Sequence, residues 1–172
     1  MYEYRFFNTL STKPATIYDE NETVIGTVTK TYIKPVHKLF DLLLKGRVFV
    51  NYEVKDSKAQ IIFKSKKDPN LFKRKQYHLN YYGGKNESYI HLIDKKSFDI
   101  GEQTSFEYKG GTYELKKSVG GWAQLKKDDY LIAEWKSSLK VPFKAYFRLI
   151  DKTFKEDELL FLGLFHTYLH AS

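Results

Sequence analysis

Glu156-Asp157-Glu158-Leu159-Leu160-Phe161-Leu162-Gly163-Leu164-Phe165-His166-Thr167-Tyr168-Leu169-His170-Ala171-Ser172 is the stretch that decides the fold. The three acids suit a helix N-terminus, where unpaired N–H groups and the helix dipole favour negative charge. The apolar run behind them leaves no polar face for nearly two turns, so such a helix has to be buried on every side. It is too short to span a bilayer, which needs about 20 apolar residues. Everything before it reads as short strands. A helix buried all round at the end of an otherwise all-β chain implies a plug inside a closed barrel.

Working outward, the chain alternates in period two. Val48, Val50, Tyr52 and Val54 oppose Arg47, Asn51 and Glu53. Ala59, Ile61 and Phe63 oppose Gln60, Lys64 and Lys66. Phe143, Ala145, Phe147 and Leu149 oppose Lys144, Tyr146 and Arg148. Alternation of this kind marks half-buried antiparallel strands. Turn residues separate the runs: Asp19-Glu20-Asn21, Lys55-Asp56-Ser57, Gly83-Gly84-Lys85-Asn86, Gly110-Gly111, Gly120-Gly121 and Lys127-Asp128-Asp129. Gly110-Gly111, between Phe106, Tyr108 and Tyr113, Leu115, predicts a two-residue hairpin. The spacing predicts about twelve strands, interrupted by one short helix. In that helix Val36, Leu39, Phe40 and Leu43 share a stripe, Pro35 opens the first turn and Gly46 ends the last. Closing a dozen strands removes open edges but leaves an interior too wide for its own side chains. Only the C-terminal segment is apolar enough to fill it. The expected architecture is all-β with one buried helix: a single domain over 1–172, with 156–172 as the central helix.

Hydrophobic residues make up 42% of the 172-residue chain, which excludes a disordered protein and allows one sizeable core. The chain has no cysteine, so disulfides, thiolate nucleophiles and Cys-based metal sites are excluded. No apolar stretch of signal-peptide length follows Met1, so the expected location is cytoplasmic, or peripheral at the inner membrane face. The net charge of +8 favours anionic partners such as nucleic acid or acidic lipid, although lysines also serve plain solubility on outer faces and strand edges.

Many short antiparallel strands ending in a hydrophobic helix resemble the tubby C-terminal-like superfamily, which includes the LURP-one-related proteins and phospholipid scramblases. The stretch Phe106-Glu107-Tyr108-Lys109-Gly110-Gly111-Thr112-Tyr113-Glu114-Leu115, followed by Gly121-Trp122-Ala123 and Ile132-Ala133-Glu134-Trp135, resembles the hairpins of small bacterial members. Leu164-Phe165-His166-Thr167-Tyr168 is similar to their closing helix. The resemblance implies a twelve-stranded barrel around a central helix. The functions it implies range from phosphoinositide-linked membrane tethering to other lipid-associated roles. The basic residues of the tubby phosphoinositide site match no positions here.

Lys64, Lys66, Lys67, Lys73, Arg74 and Lys75 form the densest basic cluster, around the expected loop between strands at 59–66 and 75–82. Cations with Phe72 between them suit an anionic membrane or a phosphorylated lipid head group, each base contributing about 1 kcal/mol. The same residues suit nucleic acid, with Phe72 stacking on a base, or a protein partner, or a solvated loop. Lys95-Lys96, Lys116-Lys117 and Lys126-Lys127 each place one cation on a given face. His166 and His170 share a helix face, but Thr167 stands where a zinc protease needs Glu, and no third ligand is evident. The pair is expected to bond strand groups near the barrel mouth. Trp122 and Trp135 are spaced as core strand residues. There is no Gly-x-Ser-x-Gly elbow, Ser118-Val119-Gly120-Gly121 reads as a turn, and no glycine pair leads into a phosphate-binding helix. The expectation is a non-enzymatic binding module without cofactor or metal. The alternatives are an interaction or structural barrel without a lipid ligand, and a nucleic-acid-binding barrel.

Overall fold

The computed structural model describes residues 1–5, 11–43, 49, 51–69, 74–83, 87–95, 102–117, 120–138 and 141–170. Twelve strands run in chain order: β1 Tyr2–Arg5, β2 Ala15–Tyr18, β3 Val24–Thr31, β4 Asn51–Asp56, β5 Ile61–Lys67, β6 Gln76–Tyr81, β7 Ser88–Asp94, β8 Glu102–Tyr108, β9 Gly111–Lys117, β10 Ala123–Lys127, β11 Tyr130–Ser137 and β12 Lys144–Leu149. Helix α1 (Pro35–Leu43) lies between β3 and β4. A short 3-10 helix (Lys152–Asp157) leads into helix α2 (Glu158–His170). Every strand pairs antiparallel with its sequence neighbours, and β1 pairs with both β2 and β12, which closes the barrel.

The alternation that marks the strands also sorts their side chains. Tyr4, Ile17, Val54, Phe63, Leu79, Leu92, Leu115, Leu125 and Phe147 point inward and are fully buried. Their target is α2, where Leu160, Phe161, Leu162, Leu164 and Phe165 are equally buried. The apolar run is therefore a plug within a closed sheet, as its lack of a polar face requires.

The helix is also keyed to the wall by polar contacts. Thr167 Oγ1 donates to Ser65 Oγ at 2.9 Å, and Tyr168 donates to Asp94 Oδ1 at 2.8 Å. Trp135 Nε1 donates to the Tyr4 hydroxyl at 2.8 Å, leaving that hydroxyl to donate to His166 Nδ1 at 3.0 Å. The proton of a neutral His166 is thereby directed to Nε2. His166 thus bonds a strand residue, while the His170 side chain lies outside the described residues. At the other end Tyr81 donates to the Glu156 carbonyl at 2.9 Å, and Tyr108 donates to Asp157 Oδ1 at 2.8 Å. Lys109 Nζ pairs with Asp157 at 2.8 Å, and Lys155 Nζ with Glu158 at 2.8 Å.

Several local expectations are corrected. The β8–β9 turn is Lys109-Gly110, with both residues at positive φ and Tyr108 opposite Gly111, so Gly111 already belongs to the strand. Asp128-Asp129 makes the same kind of turn. Ala59 lies in a turn at φ 62°, and a bulge at Val54/Lys55 rotates Ile61 outward, so only Phe63 of that trio faces the core. Phe143 precedes β12 and is partly exposed. The central helix starts at Glu158, because Glu156 and Asp157 belong to the 3-10 turn. Arg47, Val48 and Val50 lie outside the described residues, as do Gly46, Gly84, Lys85, Asn86, Ser118 and Val119.

Candidate functional site

Antiparallel pairing fixes which connections share an end of the barrel. Strands β1, β3, β5, β7, β9 and β11 finish at one end; β2, β4, β6, β8, β10 and β12 start there. That end therefore carries α1, the β5–β6 connection and the β7–β8 connection. Among the described connection residues there, Lys13, Lys34, Lys38, Arg74, Lys75 and Lys95 face only Asp41 and Asp68 as acids. The opposite end carries the Asp19–Thr23 turn, the Asp128-Asp129 turn and the 3-10 helix. Its described connections hold Lys58, Lys109, Lys152 and Lys155 against Asp19, Glu20, Glu22, Glu87, Asp128, Asp129, Asp151, Glu156 and Asp157. The molecule is electrically polar, with one basic and one acidic end.

The basic end continues down the outer wall. Thr31, Asn51, Lys66, His78 and His91 form one cross-strand row, and Glu53, Lys64, Asn80 and Tyr89 form the next. Between them runs a groove of about 540 Å³ that includes Ile33, Lys64, Lys66, His78, Asn80 and Tyr89 in its lining. Lys64 reaches Glu53 at 3.8 Å. Lys66 and Arg74 are exposed, and no described carboxylate pairs with either. His78 stacks on His91 with ring centroids 4.5 Å apart, and its Nε2 lies 3.2 Å from Asp68 Oδ1.

The structure divides the basic cluster read from the sequence. Lys64 and Lys66 stand on the outer face of β5. Lys67 places its ammonium over the Tyr77 ring, 5.7 Å from the centroid. Arg74 and Lys75 precede β6, while Phe72 and Lys73 lie outside the described residues. The two tryptophans also part company. Trp135 is core, but Trp122 lies on the outer wall under Arg148, 4.1 Å from guanidinium carbon to ring centroid. Among the described residues no group of three His, Cys, Asp or Glu side chains could hold a metal ion. No described helix is long and apolar enough to cross a membrane.

Sequence reasoning placed α1 but did not say which way its stripe faces. Its stripe is turned away from the barrel: Leu43 is 76% exposed, Leu39 63%, Phe40 50% and Val36 46%, with Ile33 just before it at 61%. The side that packs inward carries Asp41. This carboxylate is fully buried, 2.8 Å from the Nζ of inward-facing Lys30, and accepts from the Tyr32 hydroxyl at 3.0 Å and the Phe49 N–H at 3.2 Å. Burial pushes the Lys30 pKa down against the opposing pull of Asp41. Among the described side chains, this ion pair and the stack of His37 on Phe49, 4.4 Å between ring centroids, anchor the helix. A signal was available, since Asp41 lies about 150° around the helix from the centre of the stripe.

The Tubby C-terminal like domain model matches residues 2–171, nearly the whole chain. The chain belongs to that family. Its domains serve as binding modules, commonly for phosphoinositides, and are generally non-enzymatic. Neither the curated proteins nor the solved structures compared with the chain include a match.

Proposed function

We propose that this tubby-like domain docks on anionic phospholipid with its basic end toward the membrane. The observation that carries the reading is the segregation of charge. An approaching anionic surface attracts the end bearing Lys34, Lys38, Arg74 and Lys75 and repels the end bearing the acidic turns. Attraction then orients the molecule as well as concentrating it. Lys64 and Lys66 in the adjoining groove supply donors to phosphate oxygens, and Lys73 adds a further charge by sequence. The location that follows is cytoplasmic and peripheral at the inner membrane face.

Co-sedimentation with neutral and anionic vesicles, over a salt series and with an oligonucleotide competitor, tests this reading. Binding should need anionic lipid and weaken as salt shortens the screening length below about 8 Å. Replacing Lys73, Arg74 and Lys75 with Gln should weaken it by about 3 kcal/mol at most, with little effect on folding. Equal binding to neutral and anionic vesicles would refute the proposal. Displacement by the oligonucleotide at equal charge would favour nucleic acid instead.

A further inference from the structure

We infer that α1 is a membrane-insertion element, whose outward face of Ile33, Val36, Leu39, Phe40 and Leu43 enters the interfacial layer of an anionic bilayer. The inference rests on the docking reading and adds a second, apolar component to it. The face is inverted relative to an ordinary surface helix, which turns its apolar stripe to the core. Here the buried Asp41–Lys30 pair holds the opposite side against the barrel and leaves the stripe in solvent.

Charge identifies the occupant. Between Thr31 and Tyr52 the sequence holds four bases, Lys34, Lys38, Lys45 and Arg47, and Asp41 is its one acid. Because Asp41 is sequestered beneath the helix, α1 offers a lipid surface exposed apolar side chains beside exposed Lys34 and Lys38, with no exposed carboxylate of its own. Apolar residues flanked by bases are the composition of helices that lie in the plane of anionic membranes, immersed about 5–10 Å. Topology adds continuity. The β3–β4 and β5–β6 connections leave the same end of the barrel, and Ile33 lines the groove that holds Lys64 and Lys66. One approach direction brings the cations to the head groups and the leucines to the acyl boundary.

The cysteine-free chain makes the test direct. An environment-sensitive fluorophore is placed at Leu43→Cys and, in a second protein, at Tyr130→Cys, an exposed position on the acidic end. Each is mixed with phosphatidylcholine vesicles with and without phosphatidylserine. With phosphatidylserine present, the probe at position 43 should shift to the blue and be quenched by brominated acyl chains, while the probe at 130 stays aqueous. The unlabelled double variant Leu39→Ser/Leu43→Ser should keep its circular dichroism spectrum. It should bind about tenfold more weakly, by a factor that changes little with salt. Anionic-vesicle binding with an aqueous probe at 43 would overturn the insertion and leave electrostatic docking standing. No binding to phosphatidylserine vesicles would overturn both. A blue shift without vesicles that grows with protein concentration would assign the face to a second copy of the chain and overturn the inference.

Discussion

At Gly163 the helix and the wall approach as closely as the chain allows. A Cβ there would lie 2.9 Å from Phe63 Cδ1 and 3.0 Å from Val54 Cγ2. Both neighbours are fully buried, so neither can swing clear. Alanine favours a helix over glycine by about 1 kcal/mol, but overpacking a tight core costs about 1–3 kcal/mol. Gly163→Ala should therefore destabilise the protein modestly in urea unfolding. Adding Phe63→Leu should cost less than the two single changes combined, because the smaller side chain relieves the clash. Additive effects would place the crowding elsewhere. The Asp41–Lys30 pair poses the opposite problem, since its charges are buried and depend on each other. Asp41→Asn leaves the Lys30 ammonium without its counter-charge and should cost about 3–5 kcal/mol, whereas Lys30→Met/Asp41→Leu together should recover much of the loss. A double variant no more stable than Asp41→Asn alone would show that the contacts of Tyr32 and Phe49 to Asp41 outweigh the pair.

Elements differ in how far the sequence announces them. Helix α2 was legible because an all-round apolar run has one solution in a β-chain, and that solution dictates the barrel around it. The β8–β9 and β10–β11 hairpins were legible to within a residue, whereas the turn read at 55–57 lies at 57–60. The shift from Gly110-Gly111 to Lys109-Gly110 is read from φ, which is positive at both Lys109 and Gly110, as a type I′ turn requires, and a lysine can adopt it. Ile61 was misread because a bulge adds a residue that alternation cannot register. Helix α1 was recognised as a helix, but a stripe says only that one face is apolar, not what it faces. The plug itself is open to test. Leu162 is fully buried, so Leu162→Asp places a carboxylate where it has no counter-charge, at a cost of several kcal/mol. That variant, and truncation after Lys155, should give insoluble or loosely packed protein that binds a hydrophobic dye. A folded, soluble truncation would mean that the wall closes without its filling.

Taken whole, the molecule has an electrical axis and a hydroxyl-lined interior, and neither belongs to any one element. The axis was within reach of the sequence, because in an up-and-down barrel alternate connections share an end. It becomes visible only once the strands are counted correctly, since one missed strand exchanges the ends for everything after it. The interior appears in the sequence merely as 14 tyrosines. In the fold, Tyr4, Tyr81, Tyr108 and Tyr168 donate from strand or helix across the gap between plug and wall. A phenol donates only while protonated, and burial raises its pKa by penalising the phenolate. Burial, helped by the charge of Asp157, pushes Tyr81 and Tyr113 up to about 12. Tyr4 and Tyr108 are raised further, by burial first and, for Tyr108, by its bond to Asp157 as well. An unfolded tyrosine titrates near 10.0. Between that value and the raised ones the folded state holds more protons than the unfolded state, so the stability of the folded state must fall as pH rises. Stability from these groups should be complete below pH about 10 and decline steadily above it. A ladder of urea melts across that range should show the midpoint dropping, with the buried tyrosines' share of the tyrosinate absorbance appearing in one cooperative step as the barrel opens. Phenolate absorbance from all 14 tyrosines, developed while the β-sheet spectrum is intact, would mean that the buried hydroxyls are open to water and do not hold plug to wall.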